Sequence, residues 1–184
     1  MERVESFLRV HGPEPPPRQP QFFSLLAAFE YLDVVWQLRF SGERLIGATP
    51  PTQLVLLDGD CVSQQDFLRS VAALSDLLDA LGPQLPGDGL GLTRLERRLA
   101  EVVPHEARAA ADSAVETLRS ARDIRHGQLH TGAQSKGARA LLRLGVTYPV
   151  DSWQSAWVAV RRAATDALEV IRNEVYALQS GTSH

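Results

Sequence analysis

The stretch DSWQSAWVAVRRAATDALEVIRNEVYAL, residues 151–178, carries the longest regular apolar pattern in the chain. Its apolar residues recur at intervals of three or four positions, namely Trp153, Trp157, Val160, Ala164, Leu168, Ile171, Val175 and Leu178. That spacing follows the period of an α-helix and places them on one face. We expect Asp151 to cap the first turn, with Gln154 at the third helical position. Because so long an apolar face needs other helices to cover it, the stretch predicts a helical bundle.

Two segments nearer the N-terminus show the same period. Residues 21–40 form an apolar stripe that ends at Ser41-Gly42, which predicts a first long helix. Ser63 followed by Asp66 has the spacing of a capping box, in which each side chain binds the backbone N–H of the other residue. Another apolar stripe comes next, so we predict a second helix that Gly82-Pro83 closes.

Two more helices are predicted in the middle of the chain. Thr93 with Glu96 repeats the capping-box spacing in front of an apolar stripe, which predicts a helix that starts there. Pro104 then starts or kinks a long helix that reaches Gly127, since proline is well tolerated at a first helical position.

The remaining segments lack a helical period. Residues 44–60 have short apolar runs on either side of Pro50-Pro51, which predicts a small hairpin or an irregular insertion. Residues 11–20 are interrupted by prolines that exclude a helix, so we expect residues 1–20 to form an extended Pro-rich arm. With no internal repeat and no domain boundary, residues 1–184 predict a single all-α domain, a bundle of four to five helices with this insertion.

The composition narrows the class of protein. Hydrophobic residues make up 44% of the chain and charged residues 22%, which is typical of a globular domain. A net charge of -3 gives no overall attraction to nucleic acid, so such binding needs a local basic patch. The single cysteine, Cys61, excludes an intrachain disulfide. We see no signal-peptide pattern and no apolar run of membrane-spanning length, so we expect a cytoplasmic protein that does not enter a membrane.

The stretch RDIRHGQLHTG, residues 122–132, places two of the five histidines four positions apart beside two arginines. On a helix that turns about 100° per residue, Arg122 and Arg125 fall on the apolar face, with His126 and His130 just beside it. That face consists of Ala111, Val115, Leu118 and Leu129. Desolvation penalises cations on an apolar face unless an anion is supplied, and a phosphate group is one candidate.

Arg125 and His130 together suit the cleavage of RNA. The planar fork of arginine holds two non-bridging phosphate oxygens and stays charged at any relevant pH. Histidine exchanges a proton near neutrality. We therefore expect a ribose 2′-hydroxyl to attack its own phosphate, with His130 as general acid or base and Arg125 offsetting charge on the phosphorane. This chemistry needs no metal or cofactor, and Arg122 and His126 are expected to support it or to contact RNA.

The sequence RHGQLH, from Arg125 to His130, resembles the R-x(4–6)-H motif of HEPN domains, the higher-eukaryote and prokaryote nucleotide-binding superfamily. In that family a polar residue often follows the arginine directly, and His126 matches it. The family motif usually lies near the end of the third core helix, with one long helix after it, and residues 153–178 match that helix. The resemblance covers mainly residues 101–178 and implies a small helical bundle.

The resemblance also implies a function and partners. Many HEPN domains are metal-independent ribonucleases of toxin–antitoxin, abortive-infection and CRISPR systems. The implied protein is an endoribonuclease that acts as a toxin or an antiviral defence effector, with RNA as substrate. The family also implies a homodimer whose two motifs meet in one cleft, and an antitoxin or defence-system protein as a further partner. Some HEPN toxins carry a modifiable tyrosine two residues after the histidine, where this chain has Gly132.

Two other pairs, Arg98 with His105 and Arg119 with His126, also have the motif spacing. We choose Arg125 and His130 because they stand at a predicted helix end, before a long helix, with the arginine on the packing face.

The same residues allow other interpretations. The arginines of the motif region can pair with acids such as Asp112 or Asp123 and serve packing alone. The two histidines, four apart on a helix, have the spacing of a metal-binding pair, so a metal site is a further interpretation. The alternative function is a non-catalytic HEPN-like helical module that binds a partner protein or a nucleotide.

Overall fold

The computed structural model describes residues 24–47, 51–85, 88–129 and 134–178, with backbone alone at residues 51, 52, 126–129 and 134. These residues form seven helices and no strand: α1 (Leu25–Arg39), α2 (Pro51–Asp58), α3 (Gln64–Asp79), α4 (Gly91–Val102), α5 (His105–Leu129), α6 (Gln134–Arg143) and α7 (Trp153–Ala177). The all-α prediction is confirmed. Five helices of 12 to 25 residues form the predicted bundle, and the shorter α2 and α6 are added to it.

The small hairpin or irregular insertion predicted for residues 44–60 is wrong for residues 51–58, because α2 occupies Pro51–Asp58. Pro51 stands at the first helical position, where its fixed φ favours the helix and its missing N–H costs nothing. The carboxylate of Asp58, at the end of α2, accepts hydrogen bonds from the Ser24 hydroxyl and from the Leu25 N–H, the latter at 3.1 Å. The end of α2 thereby helps to cap α1.

The helix caps agree with the sequence in one case and differ in two. The capping box of Ser63 and Asp66 is present at the start of α3. The box predicted for Thr93 is wrong, because α4 begins at Gly91 with no side-chain cap. The cap predicted for Asp151 is also wrong, because the hydroxyl of Ser152 accepts from the Ser155 N–H at 3.2 Å.

Helices α5 and α7 form the centre of the bundle. α5 packs against α3, α4, α6 and α7, and α7 packs against α1 and α3 as well. Trp157 of α7 is fully buried, and its ring lies 6.5 Å from that of Phe67 on α3. Ile124 is also fully buried, so α5 is covered on more than one side.

Several sequence predictions fall outside this description. The Pro-rich arm of residues 1–20 lies outside the described residues, as do Gly132 and the loop around it. Within the described part of the chain, no helix is long and apolar enough to cross a membrane.

Candidate functional site

The C-terminal half of α5 carries Arg122 and Arg125 toward the end of α3. Nη1 of Arg125 donates a hydrogen bond to Oδ1 of Asp76. Nε of Arg122 lies 2.7 Å from Oδ1 of Asp79, in an ion pair without hydrogen-bond geometry. Each pair of residues is spaced by three positions on its helix, so the two helices meet in matching register.

The position of the two aspartates gives these ion pairs an electrostatic reason. Asp76 and Asp79 lie in the last turn of α3, where exposed carbonyl groups make the helix end negative. Carboxylates are unfavourable there unless cations compensate. Arg122 and Arg125 supply that compensation from α5 and so help to hold the two helices together.

The two ion pairs differ in their access to solvent. The side chains of Arg122 and Asp79 are 21% and 29% exposed, whereas those of Arg125 and Asp76 are 32% and 43% exposed. Arg125 is therefore the arginine that a ligand can reach with less rearrangement.

The aspartates that bind these arginines were not among the predicted partners. The acids close to the arginines in sequence are Asp112 and Asp123, whereas Asp76 precedes Arg125 by 49 positions. A sequence signal did exist, since two acids three positions apart at a helix C-terminus need cations. It could not be assigned to particular cations before the packing of α3 on α5 was known.

The histidines of the motif cannot be placed in the same way. His130 lies outside the described residues, and only the backbone of His126 is described. α5 continues to Leu129, as expected for a motif at a helix end. The meeting of Arg125 with His130, and the supporting role of His126, stay predictions.

The two competing arginines of the same spacing are held by other contacts. Nη1 of Arg119 donates to Glu96 at 2.9 Å in a two-pronged contact, and Arg119 also lies 3.8 Å from Glu116. Hydrogen bonding from Arg119 lowers the pKa of the Glu96 carboxyl, although partial burial opposes the change. Arg98 pairs with Glu101 at 3.2 Å and stacks over the ring of Phe40.

A second charged feature lies between α5 and α6. A groove of about 380 Å³ is lined by Asp123, Lys136, Arg139, Ala140 and Arg143. Helix α6, which begins at Gln134, forms one side of this groove. Three of the five lining residues are cations and one is an aspartate, so the groove carries a net positive charge.

Other reactive groups in the described residues form no site. No group of three or more His, Cys, Asp or Glu side chains there is arranged to hold a metal ion. The Cys61 thiol is buried against the Ser70 hydroxyl at 3.4 Å, and burial raises its pKa. A raised pKa keeps a thiol protonated and poorly nucleophilic.

No protein-family model, curated protein or solved structure matches the chain. The HEPN resemblance of Arg125 to His130 therefore stays a prediction.

Proposed function

We propose that the protein is a metal-independent endoribonuclease of the HEPN type, with Arg125 and His130 as catalytic residues. The observation that supports this is the state of Arg125. Its guanidinium lies near the end of α5, is about one-third exposed, and contacts a carboxylate that is itself 43% exposed. Such an arginine is held in place yet can be reached by an anionic ligand.

The ion pair with Asp76 does not prevent phosphate binding. An exposed ion pair contributes about 0–1 kcal/mol to stability. A hydrogen bond to a charged group contributes about 1.5–3 kcal/mol, and a phosphate offers two oxygens to one guanidinium. Exchange of Asp76 for a phosphate is therefore favourable when RNA closes over the site.

The proposed reaction is an internal transfer at phosphorus. The ribose 2′-oxygen forms a bond to the adjacent phosphorus as its proton leaves to a base. The bond from phosphorus to the 5′-oxygen breaks, and that oxygen takes up a proton. His130 carries out one of these proton transfers, while Arg125 offsets charge on the phosphorane. The products are a 2′,3′-cyclic phosphate and a 5′-hydroxyl, and Arg122 and His126 support the site.

The proposal extends to the assembly. Of the two histidines in the motif, only His130 is assigned to proton transfer, and the two proton transfers need both an acid and a base. A homodimer with two motifs in one cleft provides both groups. A toxin or defence effector of this kind also needs a restraining partner, either an antitoxin or another protein of the defence system.

The test is cleavage of single-stranded RNA in the presence of EDTA. We expect the wild type to cleave, and His130→Ala and Arg125→Ala to lose about a hundredfold or more of the rate. Arg69→Ala is the matched control, since Arg69 is 60% exposed and only weakly paired to Asp66, at 4.0 Å. Absence of cleavage by the wild type, or equal rates for His130→Ala and wild type, would contradict the proposal.

A second candidate is the non-catalytic helical module, and the pairing of both arginines favours it. Arg122 with Asp79 and Arg125 with Asp76 join α5 to α3 without any ligand. Exchanging the charges, with Asp76→Arg and Arg125→Asp together, separates the two candidates. If the pair serves packing alone, the double variant keeps the stability of the wild type and any RNA cleavage that the wild type shows. If Arg125 binds the scissile phosphate, stability is retained and RNA cleavage is lost.

A further inference from the structure

The groove between α5 and α6 presents three cations in a row. Lys136, Arg139 and Arg143 are spaced by three and four positions, so they share one face of α6. Lys136 and Arg143 are 57% and 62% exposed, and Arg139 is exposed as well. At about 1.5 Å of rise per residue the row is about 10 Å long, which is too long for one small anion to contact every cation.

The acids nearby leave this row open to a ligand. Lys136 lies 2.9 Å from Asp123, and Arg143 lies 3.1 Å from Glu116, both on α5. Such solvent-exposed pairs hold each other only weakly. Arg139 differs, because in the described part of the chain its guanidinium contacts only Ser135 of its own helix. It is the cation with no carboxylate to displace.

The lining of the groove indicates the kind of polyanion. Four of its five residues are charged and the fifth is Ala140, so its apolar surface consists of one methyl group and the aliphatic stems of charged side chains. An acidic peptide bound there would lack the buried anchors on which specific protein recognition depends. A sugar–phosphate backbone needs no such anchor, because cations that contact successive phosphates provide most of its affinity.

We propose that this groove binds the sugar–phosphate backbone of the RNA, and that it does so at nucleotides away from the scissile phosphate. The inference rests on the proposed function for the identity of the polyanion. Asp123 and Arg125 are two positions apart, or about 200° around α5, so the groove and Arg125 face nearly opposite sides of the helix. The groove therefore contributes to binding of the strand and takes no part in the proton transfers.

The experiment measures RNA binding without cleavage. A fluorescent single-stranded oligoribonucleotide of mixed sequence is titrated with the His130→Ala protein at several salt concentrations. Into this background we introduce Lys136→Gln, Arg139→Gln and Arg143→Gln together. The matched control removes three exposed arginines elsewhere, by Arg69→Gln, Arg97→Gln and Arg162→Gln. Both triple variants have the same net charge, so overall electrostatic attraction changes equally.

We expect the groove variant to bind about tenfold or more weakly. The slope of log affinity against log salt should fall by about 2, because each lost phosphate contact on a single strand removes about 0.7. The control should keep the parent slope, and among single changes Arg139→Gln should cost most. In the cleaving protein the groove changes should raise KM and leave kcat unchanged.

Three results would overturn the inference. The first is no RNA binding by the parent. The second is an equal loss of affinity in the groove and control variants. The third is competition by polyglutamate as effective as competition by polyphosphate, which indicates an acidic protein partner instead. Groove-dependent RNA binding by a wild-type protein that cleaves no RNA would refute the proposed nuclease and leave the groove assignment standing.

Discussion

Asp33 shows how one buried carboxylate holds a loop on the bundle. It is 6% exposed, and its Oδ1 accepts hydrogen bonds from the backbone N–H groups of Leu45 and Ile46 at 2.8 and 2.9 Å. Its Oδ2 accepts from Nε2 of Gln37 at 2.7 Å. A buried carboxylate is tolerated because these donors replace its water. The segment after α1 is thereby fixed to the helix without a sheet.

Asp33→Ala is expected to lower the free energy of unfolding by about 2–4 kcal/mol, since it leaves two backbone N–H groups without an acceptor. Urea denaturation followed by circular dichroism measures the change. Glu30→Ala is the control on the same helix, where the side chain is exposed, and should stay within about 0.5 kcal/mol of wild type. Equal losses in the two variants would show that the bonds of Asp33 contribute nothing specific.

Arg125 marks the limit of what residue-level reasoning can predict. The sequence places it on the packing face of its helix, and the structure has it half-buried against α3. The identity of its partner depends on which helix covers that face. Asp112 and Asp123 were close in sequence, but Asp76 is close in space because α3 packs across α5. Local spacing predicts the need for an anion and cannot name it.

At the scale of the elements, Gly91 sets how closely α4 approaches the end of α3. A Cβ atom at Gly91 would lie 2.3 Å from the carbonyl oxygen of Leu78 and 2.7 Å from the backbone nitrogen of Leu81. Those neighbours are backbone atoms, so relief of the overlap requires that the two helices move apart.

Gly91→Ala is therefore expected to destabilise the protein by about 2–3 kcal/mol, although alanine is the better helix former. Thermal unfolding measures the loss. Gly47→Ala serves as the control, because a Cβ there meets its nearest neighbour at 3.6 Å, an ordinary contact. A neutral or stabilising effect at Gly91 would mean that α3 and α4 can separate freely.

The contact between Glu96 of α4 and Arg119 of α5 predicts a pH dependence. The folded protein holds the pKa of Glu96 below its ordinary 4.5, so the unfolded chain binds the proton more readily. The resulting stabilisation is present above about pH 4.5 and is lost as the pH falls through the lower folded-state pKa. Because the pair is partly exposed, its contribution is about 0.5–1 kcal/mol.

Glu96→Gln should thus lose about 0.5–1 kcal/mol near neutral pH, and wild type and variant should converge in acid. Urea unfolding at a series of pH values measures the difference. Glu30→Gln is the matched control, since Glu30 is exposed and lies beyond the first turn of α1. A difference for Glu96→Gln that grows toward acid pH would have the wrong sign for this contact.

The elements that the sequence predicted well are those with a sustained period. α1, α3, α5 and α7 lie where the apolar spacing placed them, because each repeats its pattern over several turns. The sequence did not predict α2, because its eight residues, which begin at the second proline, are too few to show a helical period. The stripe predicted for α5 also omitted Ala114, Ala121 and Ile124, since a helix covered by several neighbours has more than one buried side.

For the whole molecule, α7 joins elements that are far apart in sequence. It packs against α1, α3 and α5, and the indole N–H of Trp157 donates to the carbonyl oxygen of Gly59 at 3.1 Å. Gln154 of the same helix donates to Asp60 at 3.0 Å and accepts from the Cys61 N–H at 2.7 Å. The segment before α3 is thereby bound to α7 by hydrogen bonds as well as by packing.

Because α7 packs against α1, α3 and α5, a loss of its packing should destabilise all of these helices together. Trp157→Ala removes a fully buried side chain and should cost about 3–5 kcal/mol. Trp153→Ala is the matched comparison, since Trp153 is half-buried, and should cost clearly less. With Trp153 also changed to Phe, Trp36, fully buried on α1, is the one tryptophan left in Trp157→Ala, so its fluorescence reports on that helix. Urea transitions from fluorescence and from far-ultraviolet circular dichroism should coincide in Trp157→Ala. Separate midpoints would mean that α1 unfolds independently and that α7 does not unite the bundle.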